Sequence, residues 1–263
     1  MRVLITGAAG TIGRDLRAGL RGRHELLRLL DVAALQPAGA GEEIVTADVA
    51  DADAMRAAAE GMDAIVHLAA NPVDAPFDVI LSPNIVGTQR VFEAALAAGV
   101  PRVVYASSHH AAGFWPRSHP MRVTDPVRPD SHYGVSKVFG EAVARLCHDK
   151  HGLEVACLRI QSWTERPTDS RHLGSWLSPR DGVELVDRCL LAPELGFAVI
   201  WGVSANTRGW LVQEDLSWLG WEPRDDAEAF AAEVEDEPPG LTRELDGGPY
   251  VGRLQHPKYD PER

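Results

Sequence analysis

Seven residues near the N-terminus, Gly7-Ala-Ala-Gly10-Thr-Ile-Gly13, constrain the fold of this chain more than any others. They follow an apolar run, Arg2 to Thr6, and open a helical stretch, so a strand passes into a helix through a glycine-rich turn. Glycines there permit the tight turn and let the backbone approach a pyrophosphate, whose charge meets the positive end of the helix. A triplet at this spacing arises by chance about 0.2 times in a chain so rich in glycine, so its place directly after a strand carries the inference. Asp31 lies 18 residues beyond Gly13, at the end of the second strand-like run. A carboxylate there can accept hydrogen bonds from the adenosine ribose hydroxyls and repels a 2′-phosphate, which favours NAD over NADP. The same residue type also serves as an ordinary helix N-cap.

Downstream, short apolar runs alternate with helical stretches. Strands are predicted at Arg2–Thr6, Glu25–Leu30, Ile44–Ala47, Ala64–Ala69, Arg102–Ser107 and Val155–Ile160, with a weaker one at Ala198–Trp201. Helices are predicted at Thr11–Leu20, Ala52–Ala59, Asn84–Ala98 and Tyr133–Lys150, where Ala, Leu and Arg recur at helical spacing without interior proline. This order predicts an α/β fold: a doubly wound, Rossmann-type parallel sheet with a small discontinuous substrate cap. Residues 1–263 read as one NAD-binding domain. Its substrate elements are expected mainly in 161–185 and 202–221, followed by a charged arm, 222–263, that holds 12 acids against 5 bases and is expected to lie solvated on the surface.

With 45% hydrophobic residues the chain can fill a real core, and with a net charge of −12 it repels phosphate backbones and anionic lipid. No nucleic-acid or membrane partner is expected. Cys147, Cys157 and Cys189 form neither a disulfide framework nor a zinc motif, and no apolar run has membrane length, so a cytoplasmic home is expected.

The chemistry is carried by Tyr133-Gly-Val-Ser-Lys137, with Ser107-Ser108 upstream at the end of a strand. On a helix, residues i and i+4 share a face. A phenol of pKa ~10 acts as a base near pH 7 only if that value falls by ~3 units, roughly 4 kcal/mol. Lys137 and a positive nicotinamide can supply this together, while the Ser108 hydroxyl holds the same substrate oxygen.

Gly7-x-x-Gly10-x-x-Gly13, Asp31, Asp48-Val49, Ser107-Ser108 and Tyr133-x-x-x-Lys137 together resemble the extended short-chain dehydrogenase/reductase family, the NAD-dependent epimerases and dehydratases, over about residues 1–160. More narrowly, Pro76-Phe77, Asn84-Ile-Val-Gly87, Ala106-Ser-Ser108, His110, Arg159-Ile160, Trp201-Gly-Val-Ser-Ala-Asn206 and Leu219-Gly-Trp221 resemble NAD-dependent uronate dehydrogenases, which oxidise the anomeric hydroxyl of a hexuronic acid to the aldarolactone. The resemblance implies that Gly7, Gly10, Thr11, Ile12, Gly13, Asp31, Asp48, Val49, Leu68, Ala69, Ala70, Ser107, Lys137, Ile160 and Trp163 hold the cofactor. It implies catalysis by Tyr133, Lys137 and Ser108, and substrate binding by Pro72, Ser108, His109, His110, Ser162 and Arg171. It also implies a homo-oligomer paired through the helices 84–98 and 133–150. Pro72 and His109 depart from the pattern, which has serine and asparagine there, and leave the identity of the sugar open.

Taken alone, Arg171 is either a carboxylate clamp or a surface ion pair, with Arg166 and Arg180 as competitors for the first role. The His109-His110 doublet has no acidic or imidazole partner at ligand spacing, so it points to hydrogen bonding, and no metal is expected. Trp201, Trp210, Trp218 and Trp221 are expected in the core. Two rival readings share the same motifs: a nucleotide-sugar epimerase or dehydratase, for which the 113 residues after Lys150 leave little room to seat a second nucleotide, and a non-catalytic dinucleotide sensor.

Overall fold

The computed structural model describes residues 1–237 and 240–252. Strands β1 (Arg2–Thr6), β2 (Leu26–Asp31), β3 (Glu42–Thr46) and β4 (Ala64–His67) alternate with helices α1 (Thr11–Leu20) and α2 (Ala52–Ala59). A short helix α3 (Phe77–Ile80) runs through a π-helical turn, Leu81–Val86, into α4 (Gly87–Ala97). Next come β5 (Arg102–Ser108), the long helix α5 (His132–His151) and β6 (Glu154–Ile160). Two tiny strands, β7 (Ser162–Trp163) and β8 (Trp176–Leu177), flank α6 (His172–Ser175), and α7 (Pro179–Leu191) leads to β9 (Phe197–Gly202).

Seven strands form one parallel sheet in the order β3-β2-β1-β4-β5-β6-β9. Helices cover both faces, which is why the central strands read as unbroken apolar runs. Val3, Ile5, Leu29 and Val66 pack with Leu16 and Leu20 of α1 and Val186 and Leu190 of α7. Leu4, Leu30 and Ile65 pack on the other face with Met55 of α2, Phe92 of α4 and Val143 of α5. The chain reverses its winding between β1 and β4, and the crevice beyond the carboxyl ends of those strands is where such sheets take ligands.

The helices 11–20 and 52–59 form with the expected bounds, while strand ends shift by one to two residues. The shifts of two residues are in β3, which begins at Glu42 instead of Ile44, and in β4, which stops at His67 instead of reaching Ala69. Leu68 N still bonds Thr6 O, and the chain then turns aside because Ala69 lies directly against Gly7. The helix expected from Asn84 begins as the π-helical turn, because the Asn84 side chain is committed elsewhere: its carboxamide bonds the Asn71 backbone and Ser136 Oγ. Trp201 and Trp221 fill core and Trp210 is partly buried, but Trp218 is exposed, contrary to expectation. No described helix is long and apolar enough to cross a membrane.

Candidate active site

Gly7 takes a left-handed φ of 74°, and a Cβ on it would come within 2.7 Å of Ala69 N; one on Gly13 would overlap Gly7 O. Only glycine lets the β1–α1 turn lie this close to both its own helix and the β4 loop. The first turn of α1 has no side-chain cap and no acidic residue, so its N–H groups and the helix dipole face the crevice available to an anion. Asp31 caps no helix. Its carboxylate accepts from Ala9 N and Ala33 N, both at 2.9 Å, which ties the end of β2 to the glycine turn and leaves further lone pairs for hydroxyl donors.

A cleft of about 730 Å³ runs from this turn to the ends of β5 and β6. Every residue expected to hold the cofactor lines it, from Gly7, Gly10, Thr11, Ile12 and Gly13, past Asp31, Asp48, Val49, Leu68, Ala69 and Ala70, to Ser107, Lys137, Ile160 and Trp163. Lys137 is the one lysine or arginine among the lining residues described, and at the end of β2 it is the Asp31 carboxylate, which repels a 2′-phosphate, that lines the cleft. Shape, uncapped helix terminus and a carboxylate at the end of β2 all fit a dinucleotide.

Ser131 caps α5 by accepting from Gly134 N at 3.0 Å, and so sets Tyr133 and Lys137 into the cleft on one face of the first turns. Lys137 Nζ donates to Ala106 O at 2.8 Å and lies 5.3 and 5.4 Å from the ring centres of Tyr105 and Tyr133. Burial pushes the Lys137 ammonium down to about 7. It pushes the Tyr133 phenol well above its ordinary value, while the neighbouring Ser108 hydroxyl acts the other way and favours the phenolate. The protein alone therefore opposes the ionisation that base catalysis requires, and more strongly than the free phenol does.

At the far end of the cleft, the His109 and His110 rings lie with their centres 3.9 Å apart and their planes tilted by 39°. Each has a carboxylate partner remote in sequence: His109 Nδ1 lies 3.0 Å from Asp246 Oδ2, and His110 Nδ1 lies 2.7 Å from Asp130 Oδ2. Among the described residues, no group of three or more His, Cys, Asp and Glu side chains is arranged to hold a metal. Arg171 is buried behind His109 and belongs to no surface ion pair. Its Nη1 donates to Ser162 Oγ at 2.9 Å and its Nη2 approaches His109 Nε2 at 3.2 Å. Arg166 and Arg180 are exposed and paired with Glu233 and Asp225. Pro72 borders the cleft and offers only its carbonyl, which accepts from the Tyr250 hydroxyl at 3.3 Å.

Residues 3–177 match the NAD dependent epimerase/dehydratase family. The chain belongs to that family. It is 47% identical to the uronate dehydrogenase of Agrobacterium fabrum, covering 90% of each chain. A crystal structure of a mutant uronate dehydrogenase from Agrobacterium tumefaciens complexed with NAD superposes with a TM-score of 0.91 at 45% identity, covering 95% of this chain and 96% of that one. The glucuronic acid dehydrogenase of Chromohalobacter salexigens superposes at 0.92 with 40% identity, over 95% and 96%.

This member of the family departs from the sequence expectation in its acidic arm. Asp246 is fully buried, and Tyr250 stacks on His110 at 4.0 Å, so 245–251 closes the far end of the cleft rather than lying solvated. A Cβ at Gly247 would collide with the Asp130 carboxylate, so the arm reaches this place only as glycine. Sequence reading also missed Asp130, Asn84 and Glu141. The one available signal was Leu245-Asp-Gly-Gly-Pro-Tyr250, an uncharged glycine-proline stretch around a lone acid inside a charged tail. The remainder of the arm, 253–263, lies outside the described residues.

Proposed function

We propose that this protein oxidises the C1 hemiacetal hydroxyl of a hexuronic acid, glucuronate or galacturonate, to the aldarolactone with NAD. The observation that carries the reading is one cleft with an uncapped glycine turn at one end, Tyr133, Lys137 and Ser108 in the middle, and a buried arginine beside the far end. Bound NAD⁺ supplies the hydride acceptor and a positively charged ring. Tyr133, as phenolate, takes the proton of the C1 hydroxyl as C1 loses its hydride and becomes the lactone carbonyl. Ser108 donates to the same oxygen and orients it. Lys137 holds the nicotinamide ribose and stabilises the phenolate through its charge. Arg171, with Ser162, receives the sugar carboxylate, for which a forked and permanently charged donor is suited. His109, His110 and Pro72 border the sugar, and the elements 161–185 and 202–221 form the cap, with the arm 245–251 closing it.

The same reading includes a homo-oligomer paired through α4 and α5, supported by exposed Val135 and Leu146 on α5, and a cytoplasmic location, supported by three free, buried cysteines. The test is NADH formation by the purified protein with uronic acids, neutral aldoses and nucleotide sugars, under NAD⁺ and NADP⁺ separately. Turnover of a uronic acid with NAD⁺ is expected. Turnover confined to neutral aldoses, or bound NAD without net NADH, would overturn the reading.

A further inference from the structure

A guanidinium has five N–H donors and no acceptor, so a nitrogen within hydrogen-bond reach of it must offer a lone pair. Arg171 Nη2 lies 3.2 Å from His109 Nε2. His109 Nε2 therefore carries no proton, and the single proton of the neutral ring sits on Nδ1, which donates to Asp246 Oδ2 at 3.0 Å. Burial and the neighbouring His110 hold this imidazole down to about 4, consistent with a neutral ring at pH 7. Asp246 is itself fixed. It is fully buried, its Oδ1 accepts from Trp210 Nε1 at 2.8 Å and Gln161 Nε2 at 3.2 Å, and its backbone N donates to Trp115 O at 2.9 Å.

The guanidinium at the other end of this chain is constrained on two sides and free on a third. Nη1 donates to Ser162 Oγ and Nη2 to His109 and, at a longer 3.4 Å, to the backbone Asp246 O, while Nε is buried with no partner among the described residues, against Gly248. A buried donor left unspent beside a substrate cleft is costly unless a ligand uses it. The direction in which it points is set by the two anchored Nη groups. Were His109 to flip to its other tautomer, Nε2–H would face Arg171 Nη2 donor to donor, and Nη2 would keep only the longer contact with Asp246 O.

We propose that Asp246 is the positioning residue of the carboxylate pocket: it holds His109 as the Nδ1–H tautomer, and His109 in turn aims the Arg171 guanidinium at the carboxylate of the sugar acid. This rests on the reading that Arg171 receives that carboxylate. The acidic arm then contributes to specificity, and it does so without touching the substrate itself.

Two measurements test this independently. Long-range ¹⁵N–¹H correlation spectra of the wild-type protein at pH 7, with the His109 signals identified by their loss in His109→Asn, are expected to show a neutral Nδ1–H ring. An Nε2–H or doubly protonated ring overturns the proposal, whatever the enzyme turns over. Kinetically, Asp246→Asn offers one acceptor oxygen to three donors, and is expected to raise KM for the active uronate at least fivefold while kcat changes less than threefold. In a His109→Asn background the carboxamide oxygen accepts from Arg171 without help, so adding Asp246→Asn should change KM less than twofold. Equal multiplicative effects in both backgrounds overturn the proposal by showing that Asp246 acts independently of His109. If the wild type oxidises no uronate, the functional reading fails while the tautomer result still decides whether Asp246 sets the ring.

Discussion

Removing the Lys137 ammonium should move the pH dependence of the reaction in a calculable direction. The Lys137 Nζ lies 5.4 Å from the Tyr133 ring centre, buried in the cleft wall. At that separation, and with an effective dielectric constant of about 20, a unit charge stabilises the phenolate by roughly 3 kcal/mol, or about 2 pKa units. Burial holds the phenol well above its ordinary value, so it depends on every cation near it. Lys137→Met keeps the length and the apolar stem and removes the charge. With NAD saturating, the ascending limb of log(kcat/KM) for the sugar, which reports ionisation in the NAD-bound enzyme, should move towards alkaline pH by up to about 2 units, and turnover at pH 7, where a Lys137 held down to about 7 is about half charged, should fall roughly 10- to 10²-fold. The assay is initial-rate NADH formation from pH 6 to 10, with NAD affinity measured separately so that a lost ribose contact is not mistaken for a lost charge. Lys137→Arg, which keeps the charge, should retain the limb near its original place. If the limb of Lys137→Met stays where it was and turnover at pH 7 falls less than threefold, Tyr133 is not the base that this ammonium serves.

Tyr133→Phe should retain NAD binding and lose about 10²–10⁴ in kcat, the usual worth of a general base, as read by steady-state rates. Asp31→Ala removes the carboxylate that repels a 2′-phosphate, and should lower the NAD-over-NADP ratio of kcat/KM at least tenfold; an unchanged ratio would show that discrimination lies elsewhere. Gly13→Ala forces a Cβ onto Gly7 O and Ala8, and calorimetry should show NAD affinity reduced by more than tenfold. Stability should decline as pH falls below 6.5. His67 and His109 are buried neutral, with pKa held down to about 3 and about 4, so the unfolded chain takes up close to two more protons than the native one near pH 5. The stability they contribute is complete above the unfolded value and is lost towards the folded ones, at about 2–3 kcal/mol per pH unit, measurable by urea titration.

The sheet was legible because a parallel strand buried on both faces has to be apolar along its whole length, as Val3-Leu-Ile5 and Val103-Val-Tyr105 are. The cofactor end was legible for a related reason. A pyrophosphate needs close backbone approach, and at Gly7 and Gly13 only one residue type permits it. The substrate end was not. Asp130 meets His110 across 20 residues of irregular chain, and Asp246 meets His109 across 137. No local period encodes such pairs. Composition misled in the same region, since an arm with excess acid reads as solvated, whereas one acid within it is buried as a carboxylate that accepts from three donors: an imidazole, a carboxamide and an indole.

The long helix explains how a reactive set can persist in a cleft that resists ionising it. Tyr133, Lys137 and Glu141 follow at four-residue intervals and share one face of α5. The first two meet the cleft, and the third is bolted beneath it, where its carboxylate accepts from Ser107 Oγ at 2.6 Å and from Arg159 Nε and Nη2 at 2.9 Å. Ser107 is the residue before Ser108, and Lys137 holds Ala106 O, so the same face grips the two residues of β5 that lead into the Ser108 hydroxyl. Breaking a buried pair such as Glu141–Arg159 costs about 3–5 kcal/mol by stranding the other charge, a large share of the 5–15 kcal/mol that holds a typical domain folded. Displacing Ser108 from Tyr133 would strain that pair before it moved the hydroxyl far. The phenol is expensive to ionise because it is buried, and that burial also holds its neighbours in place, so that added positive charge acts on a fixed target instead of being spent on rearrangement.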